Sequence, residues 1–286
     1  MNIGKFAVFS LVGALAFGSP AAEFRLASYN IRCDDGREKT PGRTWADRLP
    51  KIRKLADAHA FDLVGLQELV REFQLDGLGK AFHEFGIIGS GRLKGRTGEG
   101  TFIMYRKAMF DLLEEGSFML GEDPSAWGEK SYGAGYPRVC NWGLFRLKAT
   151  GRKFYFFNTH LDLCGGARVK EMEQIVATMK KMVPAGTPAF LAGDMNASGL
   201  SRPIKIAEAQ LDNAFKVTMT PRKGPGRSYN GWEAEPKRSK GALIDYIFLS
   251  KLPEVVQVKD LAVLDDCYEG MFPSDHFPLV ATIELK

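Results

Sequence analysis

Pro188-Ala189-Phe190-Leu191-Ala192 is an apolar run that stops at Gly193-Asp194-Met195-Asn196. A short apolar run bounded by turn formers reads as a buried strand, and its end is where a polar side chain can leave the core and face a cleft. The same punctuation recurs along the chain. Phe24 to Tyr29 leads into Asn30, Leu63 to Leu66 into Gln67-Glu68, and Lys153 to Asn158 into His160 and Asp162. Asp245 lies within Ala242 to Leu249, and Asp275-His276 precedes Leu279 to Leu285. Gly100 to Arg106 and Trp142 to Lys148 supply further strands, the latter paired with Lys153 to Asn158 across a Thr150-Gly151 turn. Each polar residue has a plain structural explanation on its own, such as Asn30 or Asp194-Met195-Asn196 as turn formers. Their shared placement at apolar boundaries points to one site.

Two helices are legible between the strands. Leu49, Ile52, Leu55 and Ala56 form one face of a helix around Asp47 to His59. Val169, Met172, Ile175, Val176, Met179 and Met182 do the same over Arg168 to Val183, and this methionine-rich stripe reads as core packing. No repeat or low-complexity linker interrupts the pattern. The expected architecture is one α+β domain with sheets packed face to face and helices outside.

Composition bounds the class. The 286 residues are 45% hydrophobic and 26% charged, which excludes disordered and collagen-like chains. A net charge of +5 is compatible with an anionic substrate but carries little weight for nucleic acid. Lys5, the apolar run Phe6 to Phe17 and the small residues Ser19-Pro20-Ala21-Ala22 read as a secretory signal over residues 1–21. The folded domain is then expected over 22–286, in a secreted or periplasmic protein. The apolar run is shorter than the ~20 residues a membrane helix needs, so no transmembrane segment is expected in the mature chain. Cys33, Cys140, Cys164 and Cys267 contain no CxxC pair, which argues against structural zinc and leaves disulfide pairing open.

Six motifs occur in order: Ser28-Tyr29-Asn30-Ile31-Arg32, Leu66-Gln67-Glu68, Asn158-Thr159-His160-Leu161-Asp162, Gly193-Asp194-Met195-Asn196, Asp245-Tyr246-Ile247-Phe248 and Ser274-Asp275-His276-Phe277-Pro278-Leu279. Together they resemble the endonuclease/exonuclease/phosphatase superfamily of DNase I-like nucleases, apurinic endonucleases, inositol phosphatases, sphingomyelinases and deadenylases. The resemblance spans about Phe24 to Leu285. It implies a four-layer α/β/β/α sandwich of two packed mixed sheets, and a divalent-metal-dependent phosphoester hydrolase.

The roles it implies match what phosphoester hydrolysis requires. Mg²⁺ or Mn²⁺ favours carboxylate, amide and water oxygens, so Glu68 is the first expected metal ligand, with Asn30 beside it and Asp275 in the same cluster. One and two metals both stay open. His276 is expected to contact the phosphate or exchange a proton with the attacking water, oriented by Asp245. Asp194 would position or deprotonate water, Asn196 would hold a phosphate oxygen, and His160 would donate to the phosphoryl group. Tyr105 and Arg138 are expected beside the phosphate, and Asn158 and Asp162 to help bind substrate. Glu99 is a candidate supporting residue. His59 and His83 are read as structural. Some bacterial relatives carry a histidine where this chain has Leu163-Cys164-Gly165-Gly166, which leaves the substrate subgroup open.

Substrate choice belongs to the loops. Gly89 to Arg96, Pro221 to Arg227 and Lys237 to Lys240 are basic and suit a polyanionic backbone or an acidic headgroup. Trp232 could stack on a base or pack on its own domain. Asp34 to Thr44 and Gly121 to Gly135 are irregular stretches able to wall the cleft. The leading expectation is an exported, monomeric phosphodiesterase or nuclease. A phosphomonoesterase or a phospholipid headgroup hydrolase is the alternative on the same fold. A catalytically idle binding domain would have lost members of the set, and paired-carboxylate glycosidase chemistry does not need the two histidines.

Overall fold

The computed structural model describes residues 21–233 and 242–286. Residues 1–20 of the expected leader and the basic Lys237 to Lys240 lie outside the described residues. In chain order the elements are β1 (Ala22–Asn30), α1 (Trp45–Ala58), β2 (Leu63–Val70), α2 (Arg71–Ala81), β3 (Phe85–Gly91), β4 (Glu99–Arg106), β5 (Phe110–Met119) and β6 (Val139–Leu147). Then follow β7 (Lys153–His160), α3 (Gly165–Met182), β8 (Ala189–Asp194), α4 (Arg202–Gln210), β9 (Leu211–Asn213), α5 (Ala214–Val217), β10 (Asp245–Ser250), β11 (Val256–Val263) and β12 (Leu279–Leu285).

Two six-stranded sheets result, ordered β11-β12-β1-β2-β4-β3 and β5-β6-β7-β8-β10-β9. Between them lies an aromatic core. Phe24 stacks on Phe154 at 5.5 Å and meets Phe110 and Phe190 edge-on at 5.4 and 6.0 Å. Burying one such ring contributes about 1.5–3 kcal/mol, so this layer is a large part of what holds the sheets together. Ile52, Leu55 and Leu78 of α1 and α2 cover Val64, Leu66 and Phe102 on the outer face of the first sheet. Met172, Ile175, Met179 and Ile204 of α3 and α4 cover Phe157, Leu191 and Phe248 on the second. The layers are α/β/β/α, as expected.

Helices α2 and α4 and strands β3, β5, β9 and β11 go beyond the sequence-based reading. Gly77 and Gly79 interrupt the apolar spacing of α2, and Gly77 lies against the Trp45 ring where a larger side chain would crowd it. The nine-residue α4 starts with Pro203 in its first turn, a start signal on a segment short for a periodicity reading. Edge strand β5 carries exposed Leu113, Glu114 and Glu115, whose charges hide the alternation.

Strand direction places the site. Each sheet has one parallel pair, β1 with β2 and β7 with β8. The C-terminal ends of both pairs meet at one edge of the sandwich. Antiparallel neighbours deliver their starts to that same edge. In register, His160 lies beside Asp194 and Asp194 beside Asp245, so three consecutive strands present one row of functional groups. Gly193 makes the close approach of β7 and β8 possible, since a Cβ there would collide with the Thr159 carbonyl. On the first sheet the β2–β4 pairing skips between Leu66 and Leu69, and Glu68 adopts a left-handed φ of 63°. This bulge aims the Glu68 side chain into the cleft rather than along the ladder.

Candidate active site

Asn30 at the end of β1 joins the two sheets. Its side-chain NH₂ donates to Glu68 Oε1 at 3.0 Å and to Asp194 Oδ2 at 3.1 Å. Its amide oxygen accepts from the Arg32 backbone N–H at 3.0 Å, and its backbone carbonyl accepts from Ser274 Oγ at 2.7 Å. In this conformation Asn30 positions two carboxylates, and its oxygen is turned away from Glu68. Glu68 Oε2 accepts from the Cys33 N–H at 3.1 Å and lies 3.4 Å from the Arg32 guanidinium, which also reaches Asp275 at 3.8 Å.

Across the cleft, His276 Nδ1 lies 3.0 Å from Asp245 Oδ2, and its Nε2 lies 3.7 Å from Asp194 Oδ2. His160 Nε2 approaches the same Asp194 oxygen at 3.6 Å and faces Asn196 Nδ2 at 2.9 Å. Asn196 takes a left-handed φ of 47°, tolerable for asparagine, and its N–H donates to Asp194 Oδ1 at 2.9 Å. The strap at Ser228-Tyr229-Asn230 ties the Asp245 and Asp275 segments together. Ser228 Oγ accepts from the Asp245 N–H, and the Asn230 N–H donates to the Asp275 carbonyl.

Electrostatics separate the roles. Burial disfavours a charged His276, but Asp245 and Asp194 outweigh it and push its pKa up to about 10. Burial and the Asp245 charge push Asp194 up to about 7. Burial and the adjacent Arg138 hold His160 well below the usual histidine range. A neutral His160 accepts from Asn196, which differs from the donor role expected for it. Burial opposes ionisation of Glu68, yet the histidines and the Asn30 and Cys33 N–H groups hold its carboxyl below the usual range. With His160 neutral, the two N–H donors and the His276 charge are what favour its ionised form. An ionised Glu68 with the Asp275 carboxylate beside it in the pocket is an oxygen donor set that fits a hard divalent cation. Asp194, Asp245 and His276 also place ligand atoms within 4.8 Å of one another. There the imidazolium itself supplies positive charge, so of the two clusters the Glu68 side fits a cation better.

Other expected residues sit differently. Tyr105 is at the far end of the molecule, because β4 runs antiparallel to β2 and its last residues pair with Leu63 at the start of β2. Its ring packs on Phe145 at 5.2 Å, so it makes no contact with the site. Asn158 is fully buried between the sheets, donating to the Leu66 and Phe102 carbonyls and accepting from Gln67. Asp162 accepts from the Gly135, Tyr136 and Cys164 N–H groups and from Arg138. Both therefore anchor structure rather than substrate, a correction forced by their bonding. Arg138 does reach the cleft, buried, with one guanidinium nitrogen left without a partner.

His59 pairs with Asp266 at 2.9 Å and His83 is exposed beside Glu84, both away from the cleft. Trp232 lies under Arg43 at 5.0 Å, packed on its own domain. All four cysteines are free. The basic Pro221 to Arg227 stretch runs beside β11, where Lys223 pairs with Asp260.

The cleft itself is a pocket of about 520 Å³ lined by Glu68, Asp194, Asn196, Asp275, His160 and His276. Arg32, Cys33, Arg92, Glu99, Tyr136 and Tyr229 also face it. Of these, Arg32 belongs to the first motif, Arg92 to the basic Gly89 to Arg96 loop, and Glu99 is the expected supporting residue. Tyr136 and Tyr229 carry no such local signal.

The model of the Endonuclease/Exonuclease/phosphatase family matches residues 27–276, from β1 to His276. The chain belongs to the endonuclease/exonuclease/phosphatase family. Another endonuclease/exonuclease/phosphatase family protein, from Bacteroides thetaiotaomicron, is 31% identical and superposes with a TM-score of 0.85, covering 93% of this chain and 99% of that one. A mannosyl-6-phosphatase from the same organism is 32% identical at a TM-score of 0.84, over 91% of this chain and 99% of that one. TDP2 from D. rerio, complexed with a single-strand DNA product, is 19% identical at 0.69, over 92% and 99%, a likeness of fold alone. No curated protein sequence matches the chain. Members of the endonuclease/exonuclease/phosphatase family are phosphoester hydrolases, and the row of acids and imidazoles described above is where this chain would carry that chemistry.

Proposed function

We propose that this chain is a divalent-metal-dependent phosphomonoesterase that acts outside the cytoplasm on small phosphorylated compounds, sugar phosphates first among them. The observation that carries this reading is the shape and charge of the pocket. Acids and imidazoles form its floor, Arg32, Arg92 and Arg138 bring positive charge, and Tyr136, Leu163 and Tyr229 bound its mouth. That arrangement suits one compact anion better than a continuous nucleic-acid backbone. The mannosyl-6-phosphatase at 32% identity supports the monoester alternative over the phosphodiesterase or nuclease first expected. Export is supported by the Lys5 and Phe6 to Phe17 leader pattern.

Mg²⁺ or Mn²⁺, held by Glu68 with Asp275 beside it, would when bound neutralise charge on the phosphate. The chain's own groups do the rest. Arg138 offers an unpaired N–H donor to a phosphoryl oxygen. His276, cationic through Asp245, places its Nε2 proton on the Asp194 side of the pocket, where it can meet the developing phosphoryl charge. Asp194 is held by Asn30 and the Asn196 N–H, and its raised pKa suits a group that takes a proton from water near neutral pH. Neutral His160 and Asn196 brace each other at 2.9 Å and keep that carboxylate from swinging.

Phosphate release from p-nitrophenyl phosphate and mannose 6-phosphate tests the reading, run beside bis(p-nitrophenyl) phosphate, single-strand DNA and sphingomyelin, each with Mg²⁺ or EDTA. Turnover of the monoesters with Mg²⁺ and none with EDTA is the expected result. Cleavage of the diesters without monoester turnover would overturn it.

A further inference from the structure

Among the described residues, nine large hydrophobic side chains are exposed, and three of them, Tyr136, Leu163 and Tyr229, rim this one pocket. Exposed apolar groups scattered singly need no explanation, but three around a charged cavity divide it chemically. Its floor suits phosphate. Its mouth suits something with an apolar face.

The three rim residues are held in place. The Tyr136 N–H donates to buried Asp162 at 3.1 Å, and Arg92 and Arg138 lie over its ring at 5.1 and 5.6 Å. Tyr229 forms a backbone bridge with His276, and its ring meets the imidazole edge-on at 5.1 Å. Leu163 sits between Asp162, whose N–H donates to Glu171, and Cys164, whose N–H donates back to Asp162. With the backbone tied on both sides, its side chain is 64% exposed at the mouth. In the wall between floor and rim, Arg92 grips Glu99 through two bonds of 2.7 and 2.9 Å. That pair places donor and acceptor edges on the pocket surface.

We propose that Tyr136, Leu163 and Tyr229, with the Arg92–Glu99 pair beneath them, form the leaving-group subsite for a hexopyranose ring. A pyranose presents C–H faces to apolar and aromatic surface and hydroxyls around its edge, and this subsite offers both kinds of contact. A short polyol phosphate fills the floor without reaching the rim. The assignment rests on the monoesterase reading above.

The test is the ratio of kcat/KM for mannose 6-phosphate to that for glycerol 3-phosphate, with adenosine 5′-monophosphate as a third substrate. The wild-type chain is expected to favour the hexose phosphate at least tenfold. Tyr136→Ala and Leu163→Ser, both surface changes, should each cut that ratio roughly three- to tenfold, mainly through KM for the sugar phosphate. A ratio unchanged within twofold in both variants, or an equal fall for both substrates, would overturn the subsite. So would wild-type preference for the nucleotide. A wild-type chain that cleaves diesters and no monoester overturns the underlying function instead, and is told apart by that result alone.

Discussion

Asp194 and Asp245 face each other in register on antiparallel strands, and the His276 imidazole reaches both, at 3.7 and 3.0 Å. Two carboxylates and one imidazole in a buried row act as a unit. Asp245 sits entirely beneath the pocket surface, so its effect on substrate passes through His276. Asp245→Asn should lower kcat roughly 10²–10³-fold with little change in KM, on the scale of removing one oriented general acid–base or electrostatic group. His276→Ala combined with Asp245→Asn should cost hardly more than His276→Ala alone, as groups acting together do. Fully additive losses in a double-mutant cycle would show that they work independently.

Metal dependence turns on Glu68. Activity should vanish with EDTA and return with Mg²⁺ or Mn²⁺. Glu68→Gln keeps the shape and loses the charge, and should raise the metal concentration for half-maximal activity at least tenfold, on the scale reported for perturbed metal sites. Titration of activity against Mg²⁺ measures this. An unchanged midpoint would move the ligand role elsewhere.

Asn158 ties the sheets rather than the substrate. Asn158→Ala leaves the Leu66 and Phe102 carbonyls without their donor in a fully buried setting. About 2–4 kcal/mol of stability should be lost, combining orphaned acceptors and a small void. Urea unfolding would read it. KM of the folded fraction should stay within twofold, and Tyr105→Phe, far from the pocket, should leave both kcat and KM within twofold.

Glu171 supplies a pH prediction away from the metal side. It is fully buried on α3, and burial pushes its carboxyl up to about 7 even though it accepts from the Asp162 N–H. A carboxyl with a folded pKa above its unfolded value binds more protons when folded. Its contribution is therefore greatest below about pH 4.5 and is lost as pH rises through about 7. The shift corresponds to at most ~3 kcal/mol of decline over that window. Glu171→Gln keeps the acceptor oxygen without the ionisation, so its stability should decline less between pH 5 and 8, read from urea midpoints across roughly that range. A parallel pH dependence in both proteins would show that Glu171 is not the titrating group.

How much of this was legible in the sequence depends on whether a signal was local. Phe24, Leu63, Phe190 and Leu279 announced their strands because a buried strand must be apolar over consecutive residues, and Met172, Ile175 and Met179 announced α3 by their spacing. Asn30, Glu68, Asp194 and His276 were found because a polar residue at the end of such a run breaks the pattern. Edge strand β5 and glycine-interrupted α2 left no such mark.

The sequence by itself determined the kinds of groups available and which strand each would end. Only the tertiary structure decided which ends share an edge. Tyr105, Asn158 and Asp162 show the difference. Each belongs to or borders a motif strand, yet antiparallel direction carries Tyr105 to the opposite edge, the two-residue pleat turns Asn158 into the inter-sheet layer, and four hydrogen bonds tie Asp162 to Cys164 and to the Gly135 to Arg138 stretch before β6. Tyr136 and Tyr229 show the converse, being ordinary residues in sequence that become pocket walls because loops from both sheets close over one edge. Strand direction, register and loop closure are relations between distant segments, and no local run of residues can display them.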